Sequence, residues 1–193
     1  MKKMTILFLS FLLCFCMCSC GQKKDATGEE KKAVMESETE SAAEESGVSE
    51  AMPEFSVKDL EGNTVTNDIF SQADITVVNF WATYCSPCIN EMPELNEWSE
   101  SMPENAQIIG IAADVPSEES DQYALAQQVV EKTGVKFVNL LAGEEFNPLI
   151  REIVGVPTTF FVDSEGKFVG SPIVGADVAG YKSFVEGYLD ALE

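Results

Sequence analysis

The sequence contains no histidine among its 193 residues. That absence excludes Ser-His and Cys-His catalytic pairs, zinc hydrolases with histidine ligands, and proton transfer through an imidazole. Basic residues are also few, because 12 Lys and Arg stand against 33 Asp and Glu and give a formal net charge of −21. Since nucleic-acid binding depends on Lys and Arg that neutralise phosphates, we expect no nucleic-acid partner.

Cysteine is almost absent beyond the first twenty residues, where only Cys85 and Cys88 remain. A zinc site at this pair would need two further Cys or His ligands. There is no histidine, and the other four cysteines lie in a segment that reads as an export signal. We therefore expect neither a metal site nor a cofactor.

Residues 1–19 have the pattern of a lipoprotein signal peptide. Lys2 and Lys3 precede an apolar stretch that is shorter than the roughly 20 residues needed to span a bilayer as a helix. The sequence 17–21, MCSCG, resembles a bacterial lipoprotein cleavage box in which Cys20 becomes the lipidated first residue. An uncleaved signal anchor and a cleavage site without lipidation are the alternatives. The expected location is outside the cytoplasm, lipid-anchored to the bacterial cell membrane.

The next segment, 20–52, begins with this cysteine and continues as a Glu, Lys, Ser and Ala-rich stretch. Its apolar content is too low to offset the entropy of ordering the chain, so we predict a solvated, disordered acidic tether. Residues 53–193 then form the expected folded domain, and from residue 55 onward the chain carries 6 basic against 23 acidic residues, a net charge of −17.

The domain alternates strand and helix patterns. Three runs rich in β-branched and aromatic residues have strand length: 75–81, 107–112 and 136–141. Turn signals at 61–63 and 164–166 predict two hairpins, the first pairing 55–60 with 64–66 and the second pairing 160–163 with 167–170.

Helices are predicted between and after these strands. One runs over 87–101, and a second begins at Ser117, places Tyr123, Ala126 and Val130 on one face, and ends at Gly134. A final helix carries an apolar stripe made of Val178, Tyr181, Val185, Tyr188 and Leu192. The order predicts an α/β fold of three layers, in which helices cover both faces of a central sheet.

Cys85 and Cys88 lie where the strand 75–81 ends and the helix 87–101 begins. Backbone amides at a helix N-terminus stabilise a thiolate, which is the reactive form of cysteine. Cys85 is the expected nucleophile because Cys88 lies inside the first turn, and Cys88 would resolve the mixed disulfide. The alternatives are half a zinc site, a purely structural bridge and two buried thiols.

Three motifs together resemble one family. They are 78–88, VNFWATYCSPC; Glu91 followed by 92–93, MP, and Leu95; and 156–159, VPTT. These segments are similar to the TlpA/ResA group of membrane-anchored, extracytoplasmic thiol-disulfide oxidoreductases in the thioredoxin-fold superfamily. The resemblance implies a thioredoxin-like fold with a central mixed sheet, an N-terminal β-hairpin and a central insertion between 114 and 154.

The same resemblance assigns roles to residues outside the cysteine pair. It implies that Pro157 is cis and that the backbone around Val156 and Pro157 binds an extended substrate. It also implies that Glu91 transfers a proton to or from the thiols, while Asn79 replaces the buried Asp of thioredoxins. Glu91 lies one helical turn after Cys88, where burial would raise its pKa, but the residues alone equally allow a surface acid near a helix N-terminus.

The predicted activity is a reductase of oxidised protein thiols. No cation lies between the cysteines, and nearby acidic charge raises thiol pKa values, which favours a reducing couple. A reductase in an oxidising compartment needs a membrane electron-donor protein as partner. We expect a monomer. The alternatives are a peroxiredoxin-like peroxidase, a dithiol oxidase or isomerase, and a non-enzymatic ligand-binding lipoprotein.

Overall fold

A computed structural model describes residues 49–193. The predicted signal peptide, Cys20 and all of the predicted tether except 49–52 lie outside the described residues. The domain boundary at residue 53 therefore stays a prediction.

Seven strands and four α-helices make up the described part of the chain. The strands are β1 Ser56–Lys58, β2 Thr64–Thr66, β3 Ile75–Trp81, β4 Ala106–Ala112, β5 Asn139–Leu141, β6 Thr158–Asp163 and β7 Ile173–Val174. The helices are α1 Ser86–Ser101, α2 Tyr123–Thr133, α3 Asn147–Glu152 and α4 Val178–Asp190. Two 3₁₀ segments, Asn67–Gln72 and Glu144–Phe146, complete the described elements.

The central sheet is mixed and has the strand order β5-β4-β3-β6-β7. Strands β3, β4 and β5 are parallel, while β6 runs antiparallel to β3 and β7 antiparallel to β6. The link from β3 to β4 passes through α1, as a parallel pair requires a crossover. The predicted α/β class with a central mixed sheet is confirmed.

Alternate side chains of β3 point into different cores, so β3 is buried on both faces. Val78 and Phe80 pack with the N-terminal hairpin β1–β2, the first 3₁₀ segment and α3. Ile75, Val77 and Trp81 pack on the opposite face, where α1, α2 and α4 lie. The result is the predicted three-layer arrangement.

The first predicted hairpin is confirmed, because β1 pairs antiparallel with β2 and Gly62 takes the left-handed conformation with φ 86° in the turn. The second is only partly formed. Residues 167–170 are not a strand: they make isolated contacts such as Val169 N–H to Phe161 O, and the regular partner of β6 is β7. The sequence prediction missed both β7 and α3.

Two predicted starts were wrong by three residues or more, and one residue of the predicted apolar stripe is exposed. The second helix begins at Tyr123, because residues 117–123 form two successive β-turns instead of helical hydrogen bonds, although it ends at Gly134 as predicted. The strand predicted for 136–141 begins only at Asn139. Leu192 is exposed beyond the end of α4, so it does not belong to the apolar stripe.

Within residues 49–193, no helix is both long enough and apolar enough to cross a membrane.

Candidate active site

The cysteine pair lies at the junction between β3 and α1. Cys85 is the N-cap residue of α1, and the Cys88 N–H donates to Cys85 Sγ at 3.2 Å. Pro87 occupies the first turn, where its missing N–H costs no helical hydrogen bond. The two cysteines form a disulfide with their Cα atoms 5.3 Å apart. The Cys88 N–H, which donates to Cys85 Sγ, would stabilise a thiolate at that sulfur in the reduced protein.

The two sulfurs differ in accessibility. Cys85 is 5% exposed and Cys88 is fully buried, which confirms that Cys85 is the more accessible of the pair. The preceding Tyr84 is 76% exposed, so an aromatic side chain stands free beside the reactive sulfur. An incoming disulfide can therefore reach Cys85 before Cys88.

An aspartate from the neighbouring strand end fixes the loop before Cys85. The Thr83 N–H lies 3.0 and 3.1 Å from the two Asp114 carboxylate oxygens, and the Thr83 hydroxyl also donates to Asp114. Because β3 and β4 are parallel, their carboxyl ends meet at the same edge of the sheet. No local sequence pattern predicts this contact, which joins residues 31 positions apart.

The predicted substrate-binding loop faces the same sulfur. The peptide bond between Val156 and Pro157 is cis, as the resemblance implies. The Val156 carbonyl oxygen lies 3.4 Å from Cys85 Sγ. The structure therefore brings Cys85, Val156 and Pro157 together, where α1 and β6 begin.

Glu91 is buried one helical turn beyond Cys88, with a relative exposure of 6%, so the surface-acid alternative is wrong. Its Oε1 accepts a hydrogen bond of 2.9 Å from Asn79 Nδ2. Burial, with a smaller contribution from the charge of Glu94, raises the pKa of Glu91 to about 7 against the opposing effect of the Asn79 hydrogen bond. At neutral pH this carboxyl group can therefore either give or accept a proton.

A polar network surrounds that carboxyl group inside an otherwise apolar core. Asn79 Nδ2 also donates to Thr159 Oγ1 at 3.0 Å, and Tyr181 Oη lies 3.3 Å from Glu91 Oε2. Sequence reasoning placed Tyr181 only in the apolar stripe of the last helix. One signal was available there, because a buried tyrosine hydroxyl needs a polar partner.

Across residues 49–193, no group of three or more His, Cys, Asp or Glu side chains could hold a metal ion. A strand, a helix that begins at two closely spaced cysteines, and an opposing cis-proline loop define a thioredoxin-fold site for dithiol-disulfide exchange.

The comparisons with known proteins agree with this class. The chain belongs to the AhpC/TSA family, whose model matches residues 48–170. It is 33% identical over 146 residues to the thiol-disulfide oxidoreductase ResA of Bacillus thuringiensis strain Al Hakam, covering 71% of this chain and 73% of the relative. It is 31% identical over 163 residues to the thiol:disulfide interchange protein DsbE of Haemophilus influenzae, covering 83% and 78%.

Solved structures show the same fold. The thioredoxin domain of the thiol-disulfide oxidoreductase BVU-2223 from Bacteroides vulgatus aligns with a TM-score of 0.55 at 26% identity, over 70% of this chain and 95% of that one. A DsbE thiol:disulfide interchange protein from Chlorobium tepidum aligns with a TM-score of 0.60 at 20% identity, over 75% and 96%. The protein is thus a thioredoxin-fold thiol-disulfide oxidoreductase similar to ResA and DsbE.

Proposed function

We propose that this oxidoreductase acts outside the cytoplasm as a reductase of oxidised protein cysteines. The observation that carries the proposal is the Cys85–Cys88 pair, with the more accessible sulfur at the helix cap beside the Val156 carbonyl. An extended polypeptide bound along Val156 and Pro157 would bring its disulfide to Cys85.

The reaction is a two-step exchange. The Cys85 thiolate attacks one sulfur of the substrate disulfide, so a mixed disulfide forms and the first substrate thiolate leaves. The Cys88 thiol then loses its proton, its thiolate attacks Cys85 Sγ, and the second substrate thiolate is released. The substrate gains two electrons and the protein ends as the Cys85–Cys88 disulfide.

Glu91 is proposed to accept the Cys88 proton in the second step. It lies one turn further along α1, and its pKa of about 7 suits proton transfer near neutral pH. When an electron donor regenerates the dithiol, the same carboxyl group returns the proton. Glu91 therefore completes the proposed catalytic set with Cys85 and Cys88.

The peroxidase alternative is weakened by the surroundings of the cysteines. The Thr83 hydroxyl, which could assist a peroxide, already donates to Asp114. Arg151 lies in α3, and α3 packs against the sheet face opposite to α1. A ligand-binding lipoprotein without redox chemistry would have no use for a cysteine pair at a helix cap, and it predicts that Cys85→Ser leaves the function intact.

The reducing direction can be tested by the reduction potential of the full chain. Ser86 and Pro87 supply no positive charge to stabilise a thiolate, and Glu91 opposes one. We expect equilibration with dithiothreitol buffers to give a value near that of thioredoxin, about −270 mV. A reduction potential near that of the oxidant DsbA, about −120 mV, would contradict the reductase and indicate an oxidase.

The remaining proposals concern location and partners. Lipidation at Cys20 would hold the domain at the outer surface of the bacterial cell membrane, and a membrane electron-donor protein would reduce the disulfide again. We propose that the domain works as a monomer. The signal sequence around Cys20 supports the anchor, and the ResA resemblance supports the donor.

Intact-mass measurement of protein extracted from membranes tests the anchor. The expected mass is that of residues 20–193 plus acyl chains, and the Cys20→Ala variant should lack them. Cys18→Ala serves as the matched control, and its mature product should keep the wild-type mass. An unmodified mass for the membrane-extracted wild type would remove lipidation from the account.

A further inference from the structure

Tyr181 contacts the active-site acid from the last helix of the chain. It lies in α4, is fully buried, and places its Oη 3.3 Å from Glu91 Oε2, although the two residues are 90 positions apart. A phenol has one hydrogen, and an ionised carboxylate has none. The meaning of the contact therefore depends on which oxygen supplies the hydrogen between them.

The hydrogen of Tyr181 has a better acceptor than Glu91. The Gly175 carbonyl oxygen lies 2.7 Å from Tyr181 Oη, against 3.3 Å for Glu91 Oε2. Hydrogen bonds between oxygens centre at about 2.7 to 2.8 Å, so the phenol donates to Gly175. The Asp177 N–H donates to the same oxygen at 3.2 Å. The phenol oxygen keeps one more lone pair, and the hydroxyl donors within its reach are Thr159 and a protonated Glu91.

The other carboxyl oxygen is already fixed as an acceptor. Asn79 Nδ2 uses one hydrogen on Glu91 Oε1 and the other on Thr159 Oγ1. Asn79 comes from β3 and Thr159 from β6, so the sheet side of Glu91 presents a donor to Oε1 alone. When the carboxyl group is protonated, Oε2 is therefore the oxygen that carries the hydrogen.

The charged groups near Glu91 lie on the two helices. Glu94, on α1, raises the pKa of Glu91, and it is itself paired with Lys182 of α4 at 2.9 Å. Cys88 lies one turn earlier on α1, and the strands β3 and β6 contribute the neutral amide and hydroxyl described above. These surroundings favour the neutral carboxyl group, which needs an acceptor for its hydrogen.

We propose that Tyr181 is a positioning residue for Glu91, whose protonated Oε2 donates to the phenol oxygen. The phenol in turn donates to the Gly175 carbonyl, and the Gly175 N–H donates to the Pro157 carbonyl at 2.8 Å. The acid is thereby tied to the cis-proline loop across the active site. The effect of this hydrogen bond on catalysis rests on the proposed function of Glu91. The hydrogen bond between Glu91 and Tyr181 does not, because it is a feature of the oxidised protein.

The test is an NMR titration of the oxidised full chain, in which the resonance of the Glu91 carboxyl carbon is recorded against pH and reports the protonation of Glu91. The Glu91→Gln variant assigns that resonance. In Tyr181→Phe the neutral acid loses its acceptor, so the pKa of Glu91 should fall and its proton affinity should drop roughly three- to tenfold. Tyr188→Phe, on the same helix, is the control and should leave the titration unchanged.

If the hydrogen bond ran from Tyr181 to Glu91, removing the phenol would shift the pKa of Glu91 in the opposite direction. A phenol that donated to ionised Glu91 would hold the pKa down, so its removal would raise that pKa and overturn the proposal. An unchanged pKa of Glu91 would overturn it as well. Because the titration does not depend on exchange activity, an inactive protein with the expected shift would contradict the proposed reductase and leave this inference standing.

A second measurement keeps the wild-type tyrosine. In Glu91→Gln the carboxamide N–H can donate to Tyr181 at every pH, as the protonated acid does. The ring-carbon resonance next to the Tyr181 hydroxyl should therefore stay at its low-pH wild-type position throughout the titration. A resonance at the high-pH wild-type position would contradict the proposal, even if Tyr181→Phe failed to fold.

Discussion

Replacing Cys85 by Ser should abolish disulfide exchange. The hydroxyl of serine cannot form a mixed disulfide, and no other cysteine of residues 49–193 can attack from the helix cap. We expect the dithiothreitol-driven reduction of insulin by the full chain to fall to the rate without enzyme. The measurement is the onset of insulin turbidity at equal protein concentrations.

The matched variant is Cys88→Ser, which keeps the attacking sulfur and loses the buried resolving sulfur. It should also lose turnover, but by stopping after the first step, with substrate bound to Cys85. Ser86→Ala is the neutral control, because Ser86 is exposed at the start of α1. Wild-type turnover by Cys85→Ser would show that the exchange chemistry lies elsewhere.

Glu91→Gln should make the oxidised protein more stable at alkaline pH while slowing exchange. The pKa of Glu91 is about 7 in the folded protein, against its ordinary value of 4.5 in the unfolded chain. Below pH 4.5 both states hold the proton, and as the pH rises to 7 the unfolded chain releases it first, so wild-type stability falls. Glutamine cannot ionise, so the variant avoids this loss, which amounts to roughly 2 to 3 kcal/mol above pH 7.

Urea unfolding of the oxidised wild type and variant at pH 5 and pH 8 measures this difference. The gain should appear mainly at pH 8, and the exchange rate of the variant should be at least about tenfold slower and lose its dependence on pH near 7. Glu97→Gln, an exposed acid on the same helix, is the control and should change neither quantity. Equal stabilities at both pH values and an unchanged pH–rate profile would retire Glu91 as the proton carrier.

The elements that the sequence predicted well are those whose local signals and burial agree. Strand β3 was predicted to the residue, since a run of β-branched and aromatic residues is bounded by polar turns and buried on both faces. The end of α2 was predicted at Gly134 because glycine readily takes the left-handed conformation that closes a helix, and Gly134 does so with φ 74°. The cysteine pair was found for a similar reason, because its spacing and its place at a strand-to-helix junction are both local.

The features that the sequence did not reveal depend on contacts between distant segments. Residues 117–122 carry good helix-start signals, yet the chain forms turns there and α2 begins only after them. The Asp114 contact with Thr83 needs the parallel register of β3 and β4, which no local pattern contains. Tyr181 fits an apolar stripe as well as any core residue does. Its contact with Glu91 depends on the packing of α4 against α1, which the sequence does not indicate.

In the proposed exchange, Cys85 attacks a substrate disulfide and Cys88 resolves it. The most direct test of this mechanism is the intact mass of the full-length Cys88→Ser variant after incubation with a disulfide-bonded peptide, followed by peptide mapping of the adduct. The account predicts one peptide attached at Cys85 and no such adduct in the Cys85→Ser, Cys88→Ser double variant. A Cys85 that carries no peptide, while the N-terminal cysteines react equally in both variants, would contradict the claim.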